Sequence, residues 1–148
     1  MTLDSLQLDL SASLKRGDTV RVGTLRLLIS AIRNSAIAKY GAASDTSVTE
    51  HDILDVVKKQ AKTHRESIEA YQKAGREDLV AKESEELKVL EEFLPIELTD
   101  DELMKILELI TTSDEKNFGL LMKKAMEAVQ GKADGGRVAS FLKTMLQK

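Results

Sequence analysis

One proline interrupts a chain in which apolar residues otherwise recur at the spacing of α-helices. Pro95 is the only proline among 148 residues, and it lies within the stretch EEFLPIELTDDEL. Proline removes a backbone donor and pushes the preceding residue toward extended conformations, so a helix has to end near Leu94. Four residues later, Thr99 and Glu102 have the spacing of a capping box that begins a new helix. The sequence therefore predicts two helical units that divide near Pro95.

Helical periodicity runs through both units, and no stretch alternates for long enough to indicate a strand. We predict an all-α fold, with an N-terminal bundle of about four helices in residues 1–95 and a small three-helix C-terminal domain in residues 96–148. A polar loop, GAASDTS, separates the second and third helices. The predicted helices run from about Leu3 to Arg16, Thr19 to Lys39, Glu50 to Ala74, Glu77 to Leu94, Asp100 to Thr112, Phe118 to Gln130 and Gly135 to Leu146.

Composition excludes several classes of protein. The chain has no cysteine, which excludes disulfides, thiolate metal sites and cysteine nucleophiles. No apolar run approaches the roughly 18 residues of a membrane span, and Asp4 and Asp9 lie where a signal peptide would be basic and then apolar. We therefore expect a cytoplasmic protein with no membrane partner.

The two histidines offer little catalytic chemistry. His51 and Asp55 form the one i, i+4 pair that suits a metal, and two ligands do not make a closed site. His64 falls on the apolar stripe of the third helix, which favours a partly buried, hydrogen-bonded histidine over a general base. The sequence contains no nucleophile elbow and no P-loop, and its carboxylates are dispersed along helix faces. We expect no catalytic residue, no metal and no cofactor.

Positive charge is concentrated toward the end of a chain whose net charge is -3. Residues 116–148 carry seven cations and two acids. The turn GKADGGR lies within this basic tail. If Asp134 is the N-cap of the last helix, the backbone amides of Gly135, Gly136 and Arg137 lie in its first turn, where a phosphate could approach them beside Lys132. The alternative interpretation is a glycine C-cap followed by an aspartate N-cap, with no ligand.

Two sets of residues are candidates for phosphate contacts. The first set comprises Lys123, Lys124, Lys132, Gly135, Gly136, Arg137 and Lys143. The second set comprises Arg26, Arg33, Arg65 and Arg76. Within the second set, Arg26 and Arg33 are seven residues apart and share one face of the second helix. Solvated charges and helix-surface ion pairs are the alternative interpretation.

The segment YQKAGREDLVAKESEELKVLEEFLP resembles the signature of the YqeY family, small bacterial proteins similar to the C-terminal tail of GatB, the tRNA-handling subunit of an amidotransferase. TLRLLISAIRN and GLLMKKAMEAVQGKADGGRVASFLKTML resemble the second helix and the end of the same family, so the resemblance covers nearly the whole chain. Phe93 and Lys123 depart from the tyrosine and the glycine that the family pattern favours. The matching residues of the signature are Tyr71, Gly75, Arg76, Leu79, Lys82, Glu83, Glu86, Leu90, Leu94 and Pro95.

The resemblance implies a helical bundle followed by a three-helix domain, and a link to tRNA. In GatB the helical tail touches the tRNA, whereas glutamine hydrolysis and ATP-dependent activation occur elsewhere. We therefore expect a noncatalytic module that recognises the backbone and shape of tRNA, without DNA sequence recognition. Two tyrosines and three phenylalanines are few for base stacking.

Two other functions stay open at this point. The chain could be a helical interaction module whose partner is a subunit of an amidotransferase or an aminoacyl-tRNA synthetase. Glutamine-dependent carbon–nitrogen ligase activity of the chain itself follows from the family association alone, because no nucleophile site for it is visible.

Overall fold

The computed structural model describes residues 1–147, and the fold in that range is entirely helical, which confirms the predicted all-α class. The chain divides into two compact units, Met1–Leu94 and Pro95–Lys148. The first contains α1 (Leu3–Arg16), α2 (Thr19–Tyr40), α3 (Ser44–Ser47), α4 (Glu50–Lys73) and α5 (Glu77–Glu91), and the second contains α6 (Asp100–Thr111), α7 (Phe118–Val129) and α8 (Gly135–Leu146).

Short polar side chains define where the helices begin. The Thr49 hydroxyl accepts a hydrogen bond from the Asp52 amide, and the Asp52 carboxylate accepts one from the Thr49 amide, which completes the capping box of α4. Thr99 and Glu102 form the same box at the start of α6. These reciprocal bonds satisfy backbone amides that have no partner within the helix. The capping box predicted at Thr99 and Glu102 is confirmed.

Two boundaries differ from the prediction. The stretch predicted as a loop between α2 and α4 is largely helical, since it forms a 3-10 turn over Gly41–Ala43 and then α3. The fourth predicted helix ends at Glu91 and not near Leu94. Backbone bonds from Phe93 and Leu94 reach back only three residues, so the chain tightens into a turn before Pro95.

The core of the first unit joins α1, α2, α4 and α5. Arg21 of α2 binds Asp9 of α1, with Nε donating to Oδ1 at 2.8 Å, and Glu92 beyond the end of α5. The Arg21 guanidinium also lies 5.6 Å from the ring centroid of Phe93. The buried side chains of this core are Leu6, Leu25, Leu28, Ile29, Ile32, Ile53, Val56, Val57 and Leu90.

The second unit has its own apolar core. Leu98 precedes α6, and its amide donates to the Lys132 carbonyl at 2.8 Å, which connects the start of the unit to the turn before α8. None of the helices in the described range combines the length and apolar character needed to cross a bilayer. The buried core residues of this unit are Leu103, Leu107, Ala125, Val129, Ala133 and Val138.

Candidate nucleic-acid interface

The glycine-rich turn begins α8, and Asp134 is the N-cap. The Asp134 Oδ1 accepts a hydrogen bond of 2.8 Å from the Arg137 amide. Gly135 and Gly136 form the first two positions of the helix, as the sequence predicts. A Cβ atom on Gly136 would lie 3.2 Å from the Asp134 Oδ1. A side chain at position 136 would therefore crowd the capping carboxylate, which itself occupies part of the first turn.

The Arg137 side chain is engaged within its own unit. Its guanidinium donates to the Leu98 carbonyl at 2.7 Å and to the Asp100 Oδ1 at 2.6 Å, and 25% of the side chain is exposed. These bonds connect the start of α8 to the start of α6. A phosphate at this turn would compete with both bonds, so the predicted RNA contact of Arg137 stays a prediction.

The lysines of the basic tail that fall within residues 116–147 are exposed, but they do not share one environment. Lys123 and Lys124 project from α7, and Lys132 lies in the turn before α8. The Lys143 Nζ lies 5.8 Å from the ring centroid of Phe118 and makes a cation–π contact there. Lys148, the last cation of the tail, lies outside the described residues.

Arg26 and Arg33 lie in a different setting, a groove between α1 and α2. Both side chains are exposed, and neither makes an ion pair or hydrogen bond with any residue in the range 1–147. The groove, which we call the α1–α2 groove, has a volume of about 410 Å³. No carboxylate lines the groove itself, although Arg33 also lines a neighbouring cavity that contains Asp4, Asp45 and Glu50. The lining residues of the α1–α2 groove are Gln7, Leu10, Ser11, Arg26, Ile29, Ser30 and Arg33.

The other two candidate arginines have carboxylate partners. The Arg65 guanidinium lies 3.4 Å from Glu91, and the Arg76 guanidinium lies 3.1 Å from Asp78. The hydrogen bond with Asp78 raises the pKa of Arg76 and lowers that of Asp78. Ion pairing therefore accounts for Arg65 and Arg76, whereas Arg26 and Arg33 are exposed and unpaired within residues 1–147, which fits both solvated charges and a phosphate contact.

His64 is partly buried and hydrogen-bonded, as predicted, but it also belongs to a cluster that the sequence did not reveal. Its Nε2 lies 3.0 Å from the Glu86 Oε2 and 3.6 Å from the Glu83 Oε2. His51 and Asp55, the i, i+4 pair that the sequence analysis considered too small for a metal site, are exposed, with 3.4 Å between Nε2 and Oδ2. The i, i+3 spacing of Glu83 and Glu86 was the one feature of the sequence that indicated the cluster. It did not point to His64, because that contact depends on how α4 packs against α5.

Comparison with known proteins gives a match over almost the whole chain. The family model described as Yqey-like protein matches residues 3–146. The Kluyveromyces lactis protein named "Altered inheritance of mitochondria protein 41, mitochondrial" is 27% identical over 137 residues, or 90% of this chain and 72% of that protein. Its namesake in Lachancea thermotolerans is 29% identical over an alignment of 148 positions that covers 96% of this chain and 77% of that protein.

The names of these relatives contradict one expectation. The sequence led us to expect a cytoplasmic protein, whereas the relatives from both yeasts, and one from Vanderwaltozyma polyspora, are named as mitochondrial proteins. The expectation rested on the lack of a membrane-spanning apolar run and on the acidic residues Asp4 and Asp9. Neither feature identifies a compartment, so the expected cytoplasmic localisation is wrong on the evidence of these names.

Proposed function

We propose, since the chain belongs to the Yqey-like protein family, that it is a noncatalytic module that binds the phosphate backbone of tRNA. The observation that carries the proposal is the α1–α2 groove, in which Arg26 and Arg33 have no carboxylate partner. Unpaired guanidinium groups keep all their donors available to a ligand. A phosphate oxygen is the acceptor that suits the planar, two-pronged donor geometry of arginine.

The spacing of the two arginines suits contact with a nucleic-acid strand. Seven helical residues correspond to a rise of about 10 Å, so Arg26 and Arg33 can contact two different phosphates along one face of α2. Ser11 and Ser30 add hydroxyl donors, and Gln7 adds an amide. Side chains of these types contact phosphate and sugar oxygens in nucleic-acid complexes, and such contacts position the protein without reading sequence.

Recognition in this groove would depend on backbone and shape. Its lining contains no aromatic side chain on which a base could stack. Folded RNA is recognised largely through its shape and its phosphate and 2′-hydroxyl groups, which agrees with that lining. The exposed lysines Lys123, Lys124 and Lys132 would add attraction that does not depend on sequence.

A binding measurement with a charge-matched control tests this proposal. Purified protein is titrated into labelled tRNA in a filter-binding assay, with heparin as a competing polyanion. We expect the wild type to prefer tRNA and Arg26→Ala/Arg33→Ala to bind it at least tenfold more weakly. The control is Lys62→Ala/Lys73→Ala, which removes two cations that are already paired with Glu66 and Glu69. Equal loss in both variants would show that only net charge matters.

A second candidate function is protein interaction, favoured by an apolar groove in the second unit. Met104 of α6 and Phe141 and Met145 of α8 line a groove of about 290 Å³ together with Ser140 and Thr144. Flexible methionines next to an aromatic ring suit the apolar side chains of an amphipathic helix. The corresponding partner would be a helix of an amidotransferase or aminoacyl-tRNA synthetase subunit. Loss of binding to such a purified subunit on Met145→Glu, with tRNA binding unchanged, would support this function.

A further inference from the structure

We propose that His64, Glu83 and Glu86 form a site for a divalent transition-metal ion that links α4 to α5. The three residues offer one imidazole nitrogen and two carboxylate oxygens, and these ligand atoms all lie within 4.8 Å of one another. His64 comes from α4, and both glutamates come from α5. The site is separate from the α1–α2 groove, and it is independent of the proposed RNA binding.

The distances between the ligand atoms fit a metal of ordinary size. A tetrahedral ion with bonds of about 2.0–2.2 Å keeps its ligand atoms roughly 3.3–3.6 Å apart. The His64 Nε2 lies 3.0 Å from the Glu86 Oε2 and 3.6 Å from the Glu83 Oε2. The two carboxylate oxygens lie within 4.8 Å of each other, so binding would require side-chain rotations that bring all three atoms to bonding distance.

The other ring nitrogen of His64 is already oriented as in a metal-bound histidine. Its Nδ1 lies 2.9 Å from the Gln60 carbonyl oxygen, which can only accept, so Nδ1 carries a hydrogen. In the neutral ring, Nε2 then has a lone pair that points at carboxylate oxygens. Facing acceptors repel each other unless a metal ion or a hydrogen on the imidazole nitrogen lies between them, and a zinc titration distinguishes the two. A carbonyl that receives the second ring N–H is the usual outer partner of a metal-ligating histidine.

The surroundings leave room for a further ligand. Side-chain exposure is 13% for His64, 21% for Glu83 and 18% for Glu86, so the group is shielded but can be reached from solvent. A small cavity of about 10 Å³, near the lower limit for holding one water, is lined by His64, Glu86 and Gln60 but not by Glu83. A water there could complete a four-coordinate ion, with three protein ligands and one open position.

The ligand types select among metals. Imidazole and carboxylate together suit Zn²⁺, Co²⁺ and Mn²⁺, whereas Mg²⁺ and Ca²⁺ prefer sites made only of oxygen. Among Zn²⁺, Co²⁺ and Mn²⁺, sites of this kind bind Mn²⁺ most weakly. The site should therefore prefer Zn²⁺ to Mg²⁺. Since the unfolded chain does not hold the three ligands together, binding would also raise the melting temperature of the first unit.

The test uses the full chain, first treated with a chelator and then titrated with zinc chloride against a chromophoric zinc indicator. We expect one Zn²⁺ per chain and at least a tenfold loss of affinity in each of His64→Gln, Glu83→Gln and Glu86→Gln. His51→Gln is the matched control, because it removes the exposed histidine that pairs with Asp55. Its affinity should equal that of the wild type. Magnesium should not displace the zinc.

A second measurement covers the case in which a variant folds poorly. Cobalt added to the wild type should produce the visible absorption of a four-coordinate site, and zinc should abolish that absorption and raise the melting temperature. Three results would each overturn the proposal: no cobalt spectrum in the wild type, zinc affinity unchanged in Glu86→Gln, or zinc affinity lost equally in His51→Gln. The cluster would then be an ion pair between a protonated His64 and its two glutamates.

Discussion

Arg33 and Arg137 carry the same guanidinium group in different surroundings. The Arg137 side chain donates to the Leu98 carbonyl and to Asp100, whereas Arg33 has no partner among the described residues. Removing a charged donor from the partly buried Leu98 carbonyl costs more than removing an exposed side chain that contacts only water. The two arginines therefore differ in what their removal should change.

We predict that Arg137→Ala lowers the free energy of unfolding of the second unit by about 1–2 kcal/mol, because the bond to the Leu98 carbonyl is lost. The partner Asp100 is 70% exposed, so the ion pair itself adds little. Hydrogen exchange of the α8 amides in the full chain, at increasing urea concentrations, measures the change in the free energy of unfolding of the second unit. Unchanged stability together with weakened tRNA binding would show that Arg137 is a contact residue, as the sequence suggested.

Charge is visible in a sequence, but the pairing of charges is not. The glycine-rich turn and its cations were recognisable as a phosphate-binding pattern, yet the partners of Arg137 are Leu98, 39 residues away, and Asp100, 37 residues away at the start of α6. The same limit applies to His64 and Glu86, which are 22 residues apart and meet only because α4 packs on α5. Sequence separation of this size hides contacts that depend on helix packing.

At the scale of elements, local signals predicted more. Thr99 with Glu102 and Thr49 with Asp52 mark helix starts, and Gly17, with a φ of 72°, ends α1 in the left-handed region. These signals depend on neighbouring residues only. The polar stretch between α2 and α4 lacked such signals and was predicted as a loop, although short helical turns satisfy its backbone.

Asp9 and Arg21 connect two elements, α1 and α2, and give a prediction for pH. The hydrogen bond from Arg21 holds the pKa of Asp9 below its ordinary value, and the nearby positive charge acts in the same direction. A lowered pKa in the folded state means that the unfolded chain binds more protons. The stabilisation is therefore complete above about pH 4 and is lost as the pH falls through the folded-state pKa.

We predict that Asp9→Asn destabilises the first unit by about 1–2 kcal/mol at pH 7, since a charged hydrogen bond is replaced by a neutral one. The difference in the free energy of unfolding between Asp9→Asn and the wild type should shrink as the pH falls below about 4. There the unfolded chain takes up a proton at Asp9 before the folded protein does, which reduces the stabilisation by the Asp9 charge. Urea denaturation at pH 7, 5 and 3 measures it. A difference that stays constant from pH 7 to pH 3 would contradict the role of the Asp9 charge.

At the scale of the whole molecule, each unit has its own buried core. Leu90 is 1% exposed in the first core, and Leu107 is fully buried in the second. Aspartate at either position would place an unpaired charge in an apolar environment, with a cost of about 3–5 kcal/mol. We predict that Leu90→Asp unfolds α1, α2, α4 and α5 but leaves the amides of α6–α8 protected in hydrogen exchange, and that Leu107→Asp does the converse. Loss of protection throughout the chain in both variants would contradict two separate folding units.

The salt dependence of tRNA binding tests most directly the claim that this molecule binds an RNA backbone through the α1–α2 groove. Log affinity falls linearly with log salt, by about 0.7–0.9 per neutralised phosphate. We predict that Arg26→Ala/Arg33→Ala flattens this slope by roughly 1.4–1.8, the value for two lost phosphate contacts. The slope of Lys62→Ala/Lys73→Ala should stay that of the wild type. A wild type that does not bind tRNA, or arginine and lysine variants with the same slope as the wild type, would contradict the account.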